Sequence, residues 1–369
     1  MQKNLSNETN HLQLMGFSDE KSFLKGFISK YATTAGSILF DDCILIDLNK
    51  YNNVSDPILV YSVDHPSKIS RLLPKELAWR FYGRWVAACT CSDVIAMGAK
   101  PNGFSVDLTI SKEIKDHQLS EIYEGISDVL KTYDTKFEGG NLDVGESLEI
   151  VGFSWGLTSK QNAIRRHGAN PGDIIAVTTE LGIGWAAHLL REMGSLDELD
   201  PSFKEIFSNY NSMPLSPCDP VVESVSKYPK AITSGMDLTD GLIEFLHTIV
   251  EKNGLGSRIF ESNLPRSLVL EEISEYCQVE TCLFNFEPGY DTPRNHCYTI
   301  SPEYLTEITS IYKKHGWELF AIGQVCEDSS VKFVRKNGKE IDIPYFYDDQ
   351  FKKSSVIRRW FELIKVLSE

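Results

Sequence analysis

Four acidic segments carry the residues best suited to chemistry: Phe40-Asp41-Asp42, Ser62-Val63-Asp64, Cys91-Ser92-Asp93-Val94-Ile95-Ala96-Met97-Gly98-Ala99-Lys100-Pro101, and Met236-Asp237-Leu238-Thr239-Asp240-Gly241-Leu242. Each sets a carboxylate beside an expected strand or helix end, among small or hydroxylated neighbours. Carboxylates gathered from distant segments repel one another unless a hard cation sits among them. Magnesium takes oxygen ligands, keeps several waters and is commonly shared with substrate phosphates. The pattern therefore predicts a magnesium–nucleotide site assembled by the fold, not by one local loop. Each acid alone has a plain structural explanation. Asp42 suits a strand end, Asp93 a solvated helix position, and Thr239 or Asp240 the N-cap of the apolar helix that follows. The joint occurrence in this order is what is specific.

The elements that must position these residues are legible in the hydrophobic pattern. Apolar, β-rich runs over 37–48 and 57–63 read as strands. Leu77, Phe81, Trp85, Ala88 and Cys89 recur at three- and four-residue steps, giving a helix over 75–97 that carries Asp93 and stops at Gly98 and Pro101. Further strands are predicted over 104–110, 148–157, 174–178, 318–325 and 331–334. Helices are predicted over 119–133, 184–193, 220–227, 240–252, 267–276, 302–315 and 355–367. The charged, turn-forming stretch Arg165–Asp173 is the natural boundary between two halves. The expected fold class is α+β: an arm over 1–28, an N-terminal αβ domain over 29–160 and a C-terminal αβ domain over 161–369.

Lys and Arg number 37 against 52 Asp and Glu, a formal charge of −15. That balance argues against broad binding to nucleic acid or anionic membrane, which needs a basic patch. An anionic small substrate stays compatible, because a bound cation reverses the sign within one cleft. No apolar run approaches the roughly 18 residues that span a bilayer, and residues 1–20 lack the apolar core of a signal peptide. The eight cysteines are scattered without regular spacing, which favours reduced thiols and a cytoplasmic location.

Two other motifs invite different chemistry. Gly182-Ile183-Gly184-Trp185-Ala186-Ala187 fits the dinucleotide pattern G-x-G-x-x-A, but it opens the second half of the chain where a first βα turn belongs early; tight strand-to-helix packing is the better reading. Gly152-Phe153-Ser154-Trp155-Gly156 fits the hydrolase elbow G-x-S-x-G, which requires a sharp turn into a helix, whereas the strand pattern runs through the serine. No P-loop occurs in the sequence.

Taken together the acidic segments resemble the superfamily of aminoimidazole ribonucleotide synthetase, selenophosphate synthetase, the hydrogenase-maturation carbamoyl dehydratase and thiamine-monophosphate kinase. The resemblance is closest to the kinase. It rests on Phe40-Asp41-Asp42, Ser92 to Pro101, Gly139-Gly140-Asn141, Arg166 to Asp173 and Met236 to Leu242. It implies two αβ domains of the aminoimidazole ribonucleotide synthetase type, the N-terminal one dimerising through its β-sheet, with ATP and Mg2+ in a cleft near the dimer interface. On this reading Asp42, Asp64, Asp93 and Asp237 are the metal ligands, with Asp41 adjacent. Asp240 is another ligand or an acceptor-orienting base, so Asp237 and Asp240 form the catalytic pair. Thr239 caps the helix and touches a metal-bound water. Gly139 and Gly140 let backbone approach the nucleotide beside Asn141, and Arg165 and Arg166 clamp a phosphate.

The chain also departs from the kinase pattern. Asn141 stands where the family has Asp, with Asp143 two positions on. His65-Pro66-Ser67 replaces the family's Glu-Gly-Val-His-Phe after Asp64. Gly289-Tyr290-Asp291, followed by Thr-Pro-Arg-Asn-His, replaces Gly-Glu-Asp-Tyr-Glu-Leu. These segments shape the kinase's substrate pocket, so thiamine monophosphate is expected to be a poor acceptor. The implied activity is Mg-dependent phosphoryl transfer from ATP to an oxygen of a small, possibly phosphorylated, metabolite. The alternatives within the superfamily are an ATP-dependent synthase or dehydratase that activates an amide oxygen, and a homologue that binds ATP without turnover.

Overall fold

Period-two burial along Pro57–Asp64 and Glu149–Ser159 turns Ile58, Val60, Ser62, Ile150 and Ser154 inward. The computed structural model describes residues 44–47, 56–66, 78–111, 116–192, 215–288, 295–346 and 356–368, together with Ser22. The first sheet contains β1 (Ile44–Asp47), β2 (Pro57–Asp64), β3 (Lys100–Ser111), β4 (Lys136–Gly145) and β5 (Glu149–Ser159), in the order β1-β2-β5-β3-β4. Only the β3–β4 pair is parallel. Strand β4 was not among the predicted strands: Glu138-Gly139-Gly140-Asn141 lacks the alternation and β-branching that mark one. Pairing with β3 holds it extended.

Helices α1 (Ala78–Ala96) and α2 (Asp116–Tyr133) cover the inner face of this sheet. They cross closely because glycines meet backbone. A Cβ on Gly83 would lie 1.9 Å from the Ile122 carbonyl oxygen, and one on Gly125 would lie 1.9 Å from that of Arg80. The glycines of Gly152-Phe153-Ser154-Trp155-Gly156 serve the same purpose. The motif is strand throughout, as expected, and Gly152 and Gly156 seat α1, whose Thr90, Val86 and Val94 side chains occupy the space of their missing Cβ atoms. The outer face carries Leu59, Tyr61 and Val63 of β2 opposite Leu157, Trp155 and Phe153 of β5. Val63 and Leu157 are exposed on it.

The second sheet contains β6 (Ile174–Val177), β7 (Ile232–Asp237), β8 (Gly256–Phe260), β9 (His296–Ile300), β10 (Phe320–Cys326), β11 (Val331–Val334) and β12 (Glu340–Asp342), ordered β12-β11-β8-β10-β6-β9-β7. On one side pack α3 (Ile183–Glu192), α5 (Leu242–Asn253), α6 (Leu268–Cys277) and α8 (Val356–Ser368), around Trp185, Phe245, Ile273 and Trp360. Gly182 takes a φ of +88° and sits against the Phe284 carbonyl, so the G-x-G-x-x-A stretch is a packing turn here. On the other side Ala176, Tyr298 and Ile300 enter the same core as Val86, Ile95 and Phe104, joined by α4 (Cys218–Lys227) and α7 (Leu305–Lys314). The two sheets thus share a core, with α1 lying at the seam. Among the described residues no helix is long and apolar enough to cross a membrane.

Candidate metal and nucleotide site

Three of the predicted ligands converge from three elements. Asp64 is the last residue of β2, Asp93 lies near the C-terminal end of α1, and Asp237 is the last residue of β7. On α1, Cys89, Ser92 and Asp93 stand three and four residues apart and so share one face. That face meets the acids. The buried Cys89 thiol is pushed up by desolvation first, and then by the charges of Asp64, Asp237 and Asp93 together. Hydroxyls fix the carboxylates: Ser62 Oγ donates to Asp93 Oδ2 at 2.5 Å, and Ser92 Oγ donates to Asp237 Oδ2 at 3.1 Å. Asp237 is only 2% exposed.

The donor chemistry fits a hard cation. Burial pushes the Asp64 carboxyl up to about 6, against the pull of a His65 backbone hydrogen bond and the His65 charge. A carboxylate held in its less favourable charged form gains from a neighbouring cation. The three acids do not close into a cage. Among the described residues the only three-ligand group with atoms within 4.8 Å of one another is Glu261, Glu280 and Cys282. There Arg335 already pairs with Glu280 at 2.6 Å and with Glu261 at 3.4 Å. An open set of oxygens suits magnesium, which retains waters and completes its shell with phosphate.

The other predicted residues are placed more diversely. Asp41 and Asp42 lie outside the described residues, as does Gly289-Tyr290-Asp291. Gly139, Gly140 and Asn141 are in β4, and Gly140 occupies the row Asp64–Gly152–Val106–Gly140 across the sheet. Three interstrand steps put Gly140 roughly 14 Å from the Asp64 backbone. Asn141 donates to Asp107 Oδ1 at 3.0 Å. The Arg165 and Arg166 carbonyls run beside β7, accepting from Gly235 N at 2.9 Å and Ser234 Oγ at 3.3 Å, just upstream of Asp237. Asp240 lies in the turn after β7, where its charge and that of Glu244 reach Tyr345. One expectation is corrected. Thr239 does not cap the following helix: α5 starts at Leu242, and its N-cap is Gly241 with a φ of 86° and no side-chain cap. The Leu238–Gly241 turn, closed by Gly241 N to Leu238 O at 3.0 Å, puts Thr239 too early in the chain.

Ser62 and Ser92 stand within the acidic segments, and their role emerges only in the structure. Their signals were present, since Ser62 and Asp64 share a strand face at i, i+2 and Ser92 shares a helix face with Cys89. His296, the last residue of the Thr-Pro-Arg-Asn-His stretch, belongs to the second sheet. His296 is fully buried in β9, opposite Asp237 in register, with Nε2 3.0 Å from Ser92 Oγ and Nδ1 2.8 Å from the Tyr298 hydroxyl. Burial holds its imidazole neutral, with a pKa lowered to about 3.

Residues 40–158 match the AIR synthase related protein N-terminal domain, and residues 170–336 match the corresponding C-terminal domain. A thiamine-monophosphate kinase of Methanocaldococcus jannaschii is 30% identical over 261 residues, covering 67% of this chain and 73% of the relative. The chain belongs to the AIR synthase related family. A second relative, the thiamine-monophosphate kinase of Haemophilus influenzae, is 28% identical over 320 residues, or 85% of this chain and 91% of that one. Among solved structures, AaThiL complexed with AMPPCP and TMP superposes with a TM-score of 0.70 at 20% identity, over 92% of this chain and 97% of that one. E. coli HypE, a hydrogenase maturation protein, gives 0.63 at 17% identity, over 82% and 88%. These likenesses show the family's two-domain αβ fold in this chain.

Proposed function

We propose that the protein is a magnesium-dependent phosphotransferase that moves the terminal phosphoryl group of ATP to an oxygen of a small metabolite. The observation that carries this reading is the convergence of Asp64, Asp93 and Asp237 on one face of α1, in a chain whose relatives are named thiamine-monophosphate kinases. Asp64, Asp93 and Asp237 would hold magnesium, with Asp42 as a further ligand and Asp41 beside it. Bound magnesium would supply charge neutralisation at the phosphate oxygens. The chain's own residues do the rest. Ser62 and Ser92 orient two of the carboxylates, and the shared core keeps β2, α1 and β7 in fixed relation. Gly139, Gly140 and Asn141 line the nucleotide side of β4, Arg166 approaches the phosphates, and Asp240 orients the acceptor.

The working form is a cytoplasmic homodimer joined through the outer face of the first sheet. The row of Leu59, Tyr61 and Val63 against Leu157, Trp155 and Phe153 supports this, since an apolar sheet face is ordinarily covered. The seven cysteines among the described residues are free thiols, in keeping with a reducing compartment. Product analysis with Mg-ATP and candidate acceptors tests the function. A stable phosphorylated acceptor, formed in step with ADP, is expected. Free phosphate released with a cyclised or dehydrated product would instead establish a synthase or dehydratase.

A further inference from the structure

The hydrogen bonds behind Asp237 form a chain with only one consistent direction. Asp237 Oδ2 accepts from Ser92 Oγ at 3.1 Å, which uses the single serine proton. The 3.0 Å contact between Ser92 Oγ and His296 Nε2 must then be donated by the imidazole. A neutral imidazole that donates from Nε2 accepts at Nδ1, so the Tyr298 hydroxyl donates to it across 2.8 Å. The proton order runs Tyr298, His296, Ser92, Asp237. Ser92, His296 and Tyr298 are all fully buried. His296 and Tyr298 sit two apart on β9, so strand alternation presents both to α1, while Cys297 between them faces the opposite core.

A neighbouring residue shows what the chain changes. A serine or threonine inside a helix ordinarily turns its hydroxyl back onto the carbonyl four residues earlier. Thr90, two positions away on α1, does this, donating to Val86 O at 2.8 Å. Ser92 instead gives its proton to a carboxylate on another sheet. With His296 occupying a Ser92 lone pair, the serine proton is aimed at Asp237.

We propose that His296 and Tyr298 are positioning residues which, through Ser92, hold the Asp237 carboxylate in the orientation that magnesium takes. This rests on the reading of Asp237 as a magnesium ligand under Proposed function. Neither residue touches the metal or the substrate in this scheme. Groups that orient a metal ligand from behind are typically worth about 10- to 100-fold in metal affinity.

The test uses the full-length protein and its variants His296→Leu, His296→Gln and Tyr298→Phe. Magnesium-dependent thermal stabilisation is measured in the presence of AMPPCP, a non-hydrolysable ATP analogue. His296→Leu fills the buried space but donates nothing, and should raise the magnesium concentration for half-maximal stabilisation by about tenfold or more. His296→Gln keeps an N–H directed at Ser92 and should recover most of that loss. Tyr298→Phe should give a smaller shift in the same direction. A half-maximal concentration unchanged in His296→Leu, with only the baseline melting temperature lowered, would overturn the proposal. Should the leucine variant not fold, Tyr298→Phe and nitrogen NMR of the wild-type imidazole decide. An Nε2–H tautomer is expected for His296, and an Nδ1–H tautomer refutes the chain. Wild-type protein that shows no magnesium effect at all would instead sink the reading of the site itself.

Discussion

Replacing Asp237 with asparagine separates a metal site from a scaffold. The side chain is nearly fully buried, so a change of size would confound the result; asparagine keeps the volume, and its Oδ1 accepts the Ser92 hydroxyl as the carboxylate does. What is lost is one negative charge. At an effective dielectric of ~20, a unit charge pair about 4 Å apart is worth about 4 kcal/mol. At about 1.4 kcal/mol per decade, turnover of Mg-ATP should fall roughly a thousandfold. The metal-free protein should respond oppositely. Asp64 and Asp93 act on the same buried thiol as Asp237, so removing one like charge relieves repulsion, and the melting temperature should hold or rise. Steady-state ATP turnover and calorimetry without magnesium read the two effects. Intact turnover with a lowered melting temperature would show that the Met236–Leu242 segment is structural and that the assignment fails.

Magnesium binding should weaken as pH falls through about 6, by roughly tenfold per unit below it, because Asp64 must ionise to bind; titration of magnesium into protein and AMPPCP at several pH values checks this. The same raised carboxyl favours the protonated folded state without metal, so its contribution to stability is present below the unfolded value of 3.8 and is lost as pH rises through about 6; Asp64→Asn should flatten that dependence in calorimetry. Gly152→Ala would set a Cβ 2.2 Å from Thr90 Oγ1, displacing α1 from β5; a loss of about 1–3 kcal/mol in denaturant unfolding is expected, together with weaker magnesium binding. Thiamine monophosphate should be a poor acceptor because His65-Pro66 follows Asp64 where the kinases carry another sequence, and efficient formation of the diphosphate would refute this. Light scattering at micromolar concentration should report a dimer, and Trp155→Glu on the outer sheet face should give a monomer.

The parts of the fold that were legible are those whose burial has a period. Helix α1 and strand β11 follow directly from spacing, as does α8 with Trp360 on its buried side. The strands without a sequence signal, β4, β7, β8, β9 and β12, are short, glycine-bearing or buried on both faces; β12 alternates, but over three residues alone. That mattered for the site, because β7 and β9 carry Asp237 and His296. The acids themselves were legible as types in motifs. Their partners were not, since Ser92 meets His296 across 204 residues and no local pattern records such a contact. The mistaken cap at Thr239 has the same origin. Composition offers a hydroxyl before an apolar helix, but the positive φ of Gly241 shifts the helix start beyond it.

Why the acids straddle the seam follows from their mutual repulsion. A single element holding all three would carry their unfavourable interaction in its own local stability. Here Asp64 ends a strand of the first sheet, Asp93 lies on the seam helix and Asp237 ends a strand of the second sheet. The docking of two sheets through a common apolar core supplies the free energy that brings them together. Across the seam, the Ser92 hydroxyl joins Asp237 of the second sheet to the helix that carries Asp93. Shifts of α1 on its glycine seats would move Asp93 and Ser92 against Asp64 and Asp237, so on the proposed reading substitutions at Gly152 and at His296, on opposite sides of the helix, should both be read first in magnesium binding.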